Sequence, residues 1–317
     1  MKKFIFLTVL LTGAASFAQS SSTSVAANSD ESMAIATAVE SSTTSTSAVG
    51  AAKASRWGIS AFTQAATDVK DQQDHGSKAL TSADNYLGVN YKLNDNLKLE
   101  IGYNFSVANV TKDQNSNADA FANKYMGRDP QITLKQTAGK IGSSDPVTLW
   151  YSYYVPMGSL SQQVKGGNGT LRNDTFTTFN LAHKISLMPW LSTRAYLGNS
   201  ANKVNETLYR FNWGGSITYN FSDAFNVYYW PQTDVRTTGL NRGKMTYNSA
   251  GEMNMFQHEV GVNYNMKVKG ADISINPAFV NHQDLGNGQG FGRAYYADNT
   301  GTVVDTAEID FNVYASF

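Results

Sequence analysis

The sequence predicts an all-β fold, a closed antiparallel up-and-down transmembrane β-barrel of about 12 strands, on three observations. From Arg56 to Phe317 apolar and polar residues alternate with period two, so that each segment has one oily and one wet face. The connections between these segments are by turns short and long. No stretch after the first residues offers the roughly 18 consecutive apolar residues of a membrane-crossing helix.

The chain opens with MKKFIFLTVLLTGAASFAQ. Two lysines, an apolar run from Phe4 to Leu11 and small residues at Ser16 and Ala18 predict a secretory signal peptide over 1–18, cleaved after Ala18. Residues 19–54 are dominated by Ser, Thr and Ala and cannot bury enough apolar surface to offset their ordering entropy. They are expected to form a periplasmic linker, with a short helix at 30–40 (DESMAIATAVE) that would need a receiving surface, such as the barrel lumen.

The barrel is assigned to 55–317, with predicted strands at 56–64, 87–93, 97–105, 131–139, 147–155, 175–187, 191–198, 209–221, 225–229, 260–266, 273–279 and 302–317. Short turns fall at 94–96, 140–145, 188–190, 222–224 and 267–270. The intervening connections, 65–84, 108–130, 156–174, 198–207, 237–252 and 281–301, are mostly long and polar. A soluble sandwich has no reason to sort its loops by parity, whereas an outer-membrane barrel has short periplasmic turns and longer outer loops. Trp57, Tyr91, Tyr219, Phe221, Phe225, Tyr264 and Phe317 face outward near the short-turn end, with Trp190 in a turn, as an interfacial aromatic girdle.

Composition excludes several functions. Lys plus Arg and Asp plus Glu are 25 each, so no electrostatic case exists for a nucleic-acid partner. Without cysteine there are no disulfides and no thiol chemistry. His75 and His282 fall in loops, while His183 and His258 fall on outward strand faces, and no pair has metal-ligand spacing. No cofactor, metal or catalytic residue is assigned.

Function therefore has to come from the lumen, read as polar throughout, with Lys92, Lys98, Glu100, Lys135, Lys184, Arg194, Arg210, Glu259, Asp272 and Asp310 as lining candidates. About twelve strands enclose a backbone cylinder roughly 24 Å across, which side chains narrow to about 10 Å. Two readings of the charges stand side by side: basic and acidic walls that orient dipolar solutes, or ion pairs that fill the interior.

The final strand, IDFNVYASF, places Ile309, Phe311, Val313, Ala315 and Phe317 on its apolar face and Tyr314 on the inner one. It resembles the closing strand of Gram-negative outer-membrane β-barrel proteins, whose terminal Phe serves as an assembly signal. The resemblance implies that Ile309, Phe311, Val313, Tyr314 and Phe317 are read by the barrel-assembly machinery and that the location is the bacterial outer membrane. The partners would be outer-membrane lipid and small hydrophilic solutes, in a monomer or a homo-oligomer. The expected function is a narrow porin-like channel for passive diffusion, not an enzyme. A non-conducting structural or surface-interaction barrel is the alternative, and an outer-membrane phospholipase-type enzyme a distant third.

Overall fold

The computed structural model describes residues 55–68, 81–109, 125–157, 168–198, 207–238, 255–284 and 307–317. The signal peptide, the 19–54 linker with its 30–40 helix, and most of the long connections lie outside the described residues. The described strands are β1 (Trp57–Asp68), β2 (Thr81–Asn94), β3 (Leu97–Asn109), β4 (Tyr125–Gly127), β5 (Gln131–Lys140), β6 (Pro146–Tyr154) and β7 (Thr170–Phe176). They continue with β8 (Phe179–Ala182), β9 (Ile185–Tyr196), β10 (Thr207–Asn220), β11 (Phe225–Thr238), β12 (Met255–Val268), β13 (Ala271–Asp284) and β14 (Ala307–Ser316). There is no helix among the described residues.

All neighbours pair antiparallel, and β14 pairs β1 while β9 pairs β10, so the sheet has no free edge. β4 extends the β5 side of β3, and β8 continues β7, so the ring is a closed barrel of 12 strands. The seam is complete to the end of the chain: Phe317 N–H donates to Ile59 O (2.9 Å) and Ile59 N–H to Phe317 O (3.1 Å). Carrying the registers round the ring returns to β1 about 16 residues further along, a stagger that tilts the strands by about 45°.

Local sequence explains the tight turns. Asn94 Oδ1 accepts from Asn96 N–H at 2.9 Å and turns β2 into β3. Between β12 and β13, Lys269 (φ 47°) and Gly270 (φ 84°) both take the left-handed conformation that two-residue hairpin loops require.

One turn lies elsewhere than the sequence predicts. His183 and Lys184 form the connection between β8 and β9, and β9 runs uninterrupted through 188–190. Pro189 breaks nothing, because it is exposed on the outer face opposite Gly215 of β10, whose missing side chain lets the two backbones close up. The predicted strands 175–187 and 191–198 are accordingly replaced by β7, β8 and β9.

Outward residues such as Val89, Ile101, Ile217, Val260 and Ile309 are exposed, and Leu99 and Val262 share their face. An apolar outer surface on a sheet without an edge is what a bilayer demands, since lipid offers backbone groups no hydrogen-bond partners. Trp57 and Tyr91 (centroids 4.7 Å apart), and Tyr219, Phe221 and Phe225 in sequence (4.9 and 5.4 Å), sit on this surface beside short turns.

Candidate functional site: the lumen

The inward positions form two layers. Nearer the short turns, Trp150, Phe176, Met188, Trp190, Tyr228 and Trp230 make one buried cluster on the wall from β6 to β11. Phe62, Tyr86 and Tyr314 make a second on β14, β1 and β2. Phe62 stacks on Tyr314 at 4.9 Å, Trp150 meets Phe176 edge-on at 5.1 Å, and Trp190 meets Trp230 at 5.8 Å although β10 lies between their strands. Trp230 is 0% and Trp190 2% exposed. The lumen is thus not polar throughout, and Trp190 belongs to its interior instead of a turn in the outer girdle.

Two tyrosines of this layer share a design. Tyr86 lies flat over Gly88 and Gly102, and its hydroxyl donates to Glu100 at 2.6 Å. Tyr228 lies over Gly261 and donates to Glu259, and it also reaches Asn276 at 3.0 Å. A glycine on the neighbouring strand leaves the only space in which such a ring can lie against the wall. Asn276 in turn bonds Asn263 and Asn312, tying β12, β13 and β14 together from inside.

Glu100, 1% exposed, also accepts from Ser60 (3.1 Å) and Lys135 (3.0 Å), and the Lys135 ammonium lies 4.7 Å from the Trp150 ring centre. A buried carboxylate with three donors is the satisfied form of an interior ion pair.

Above the aromatic layer stand the remaining charges. Arg172, Arg194 and Arg210 are register partners on β7, β9 and β10, all buried, and the same backbone row continues to Arg236 on β11. Arg172 pairs with Asp174 at 2.7 Å, and Asp174 also accepts from Trp190 Nε1. Half way round the ring, β14, β1 and β2 carry Glu308, Asp310, Gln64 and Asp84. Gln64 donates to Asp310 at 2.6 Å, and Arg128 binds Asp84 at 2.8 Å. With a 45° tilt, Arg172 and Asp310 stand within about one residue of the same height. Glu259 is buried on β12, between the two walls.

Of the ten lining candidates, Glu100, Lys135, Arg194, Arg210, Glu259 and Asp310 lie in this interior. Lys92 and Lys98 are exposed register partners at the short-turn rim, where Lys92 pairs with Asp95 at 2.8 Å and its hydrogen bond holds the Asp95 carboxyl below the usual range. Asp272 is likewise at the rim, 3.3 Å from Lys267. Lys184 is not in the lumen: it occupies the turn after β8 and is exposed, a consequence of the turn falling five residues earlier than the predicted 188–190. His183 shares that turn, and only His258 keeps its outward strand position, with its Nδ1 2.6 Å from Tyr229 Oη. Among the described residues no group of three or more His, Asp or Glu could hold a metal ion.

No protein-family model matches the chain, and no curated protein matches it. Among solved structures it is similar to the COG4313 outer membrane channel from Pseudomonas putida F1, at 10% identity over 85% of this chain and all of that one, TM-score 0.48. It is also similar to the NanC porin, at 8% identity over 82% of this chain and 98% of that one, TM-score 0.45. A third is the KdgM porin, at 12% identity over 81% and 99%, TM-score 0.41.

Proposed function

We propose that the chain is a narrow outer-membrane channel for passive diffusion of small hydrophilic solutes, whose upper lumen orients dipolar molecules between a basic and an acidic wall. The observation that carries this reading is the row Arg172, Arg194, Arg210. Like charges placed directly opposite one another across neighbouring strands are destabilising, so a lumen filled only for stability would alternate signs along each row. Here three bases against one acid, Asp174, gather on β7, β9 and β10, while Glu308, Asp310 and Asp84, the last paired with Arg128, lie across the cavity. That sorting creates a transverse field, which acts on solutes more than on the fold.

A specific observation favours the second reading, a non-conducting structural barrel: the apolar layer of buried rings beneath the charges. Planar-bilayer conductance of the mature chain, and of the chain lacking residues 20–54, tests both. Steady currents in both forms are expected. Currents in the shortened form alone would make the linker a plug, and silence in both would leave the structural reading.

A further inference from the structure

We infer that the aromatic layer, centred on Trp190 and Trp230, is the permeability barrier of this lumen, and that it sorts solutes by whether they present an apolar ring face or a hydration shell. The inference rests on the channel reading above and names the residues that decide what passes. The two ring clusters stand on opposite walls at one level and ring contacts join each wall internally; the Glu100–Lys135 pair stands between them on β3 and β5, and the buried arginines and carboxylates lie above. Trp190 and Trp230 meet at 5.8 Å across the intervening β10, so the two rings cover its inner face between them. Their N–H groups are turned back to wall acceptors, Trp190 Nε1 to Asp174 (3.3 Å) and Trp230 Nε1 to Gln232 (3.1 Å). With both rings buried, a solute passes only by parting them, and it then meets ring surface whose donors are already engaged.

An inorganic ion crossing between the rings has to shed water against apolar faces, while the polar groups beside them, Glu100, Lys135 and the Tyr86 and Tyr228 hydroxyls, are already bonded to one another or to the wall; hydrophobic constrictions restrict conduction in this way. A solute with a flat apolar face exchanges water for stacking against indole, and its polar groups stay directed at the charged layer above. The layer therefore favours small ring-bearing polar solutes over equally large solutes hydrated on every side.

The test uses the full mature chain in planar bilayers and in proteoliposomes. Trp190→Ala/Trp230→Ala is compared with wild type, with Trp190→Phe/Trp230→Phe, which keeps rings, and with Trp213→Ala, which removes an outward indole. Folding of each is checked by heat-dependent migration on gels. The expected result is at least a threefold rise in KCl conductance for the alanine pair, a smaller rise for the phenylalanine pair and none for Trp213→Ala. In wild-type proteoliposomes a phenyl glycoside is expected to enter at least threefold faster than a disaccharide, and the alanine pair to lose that preference. Equal conductance of wild type and the folded alanine pair would overturn the barrier while leaving the channel reading intact, as would equal entry of the two solutes into wild-type vesicles. Silence in wild type with currents in the alanine pair would uphold the barrier and overturn free diffusion. Silence in both would overturn both.

Discussion

Gly102→Ala tests whether the glycines of the inner wall exist to seat tyrosines. A β-carbon at Gly88 would stand 2.5 Å from the Tyr86 hydroxyl, and one at Gly102 would overlap the ring itself. Ordinary contact between carbons begins at roughly 3.5 Å, so the ring has to move by about 1 Å or more. Such a shift pulls the hydroxyl off Glu100, now 2.6 Å away. A hydrogen bond to a charged group contributes about 1.5–3 kcal/mol, and overpacking without movement costs about 1–3 kcal/mol, so either route loses a similar amount. Replacing glycine within a strand returns about 0.5–1 kcal/mol by restricting the unfolded chain. The expected net loss is about 1–2 kcal/mol, read by urea unfolding and refolding of the barrel in lipid vesicles. In a Tyr86→Ala background the same substitution has nothing to collide with and should be neutral or slightly stabilising. Equal losses in the two backgrounds would refute the reasoning, because the cost would then belong to the backbone and not to the seat.

Lys135→Met leaves Glu100 buried with Tyr86 and Ser60 but no countercharge, and should destabilise by about 3–5 kcal/mol, most of it recovered in Lys135→Met/Glu100→Leu; equal unfolding midpoints for the single and double variants would contradict this. Arg194→Gln/Arg210→Gln should move the reversal potential in a KCl gradient toward cation preference, and an unchanged potential would show that the basic wall does not face the ion path. Deleting Phe317 removes the pair of backbone bonds to Ile59 at the seam and should lower the heat-modifiable, folded fraction in the outer membrane; an undiminished fraction would deprive the terminal residue of any assembly role.

Alternation makes the barrel legible in the sequence, because one lipid-facing side per strand leaves a period-two trace whatever fills the interior. Parity along each strand is also enough to put Glu100, Lys135, Arg194, Arg210, Glu259 and Asp310 on the inner wall. Two features leave no such trace. The β8–β9 turn is hidden because a proline is a break signal only when its lost N–H matters and its ring has no room, and Gly215 on the partner strand supplies the room. That single displacement carries Lys184 out of the lumen and Trp190 into it. The aromatic layer is hidden for a different reason: Phe62, Tyr86, Phe176 and Trp230 lie on four strands far apart in sequence, and only the ring order and stagger bring them to one height. Glycines at 88, 102 and 261, on the inward parity, are the available signal that something large lies flat against the wall.

Size explains why these two layers can coexist in twelve strands. A cylinder about 24 Å across leaves an opening of about 10 Å when lined by side chains of average reach. The indoles of Trp190 and Trp230, meeting over β10, take up part of that remainder on one wall, whereas the arginines and carboxylates above them stand on opposite walls. A wider barrel would need a folded-in loop to close, and a narrower one would have no space left above the rings. In this chain the choice between open and closed is therefore set by a handful of inward side chains and the glycines beneath them, so substitutions at Trp190, Trp230, Gly102 or Gly261 should change permeation while leaving the strand order, the seam and the lipid-facing belt as they are.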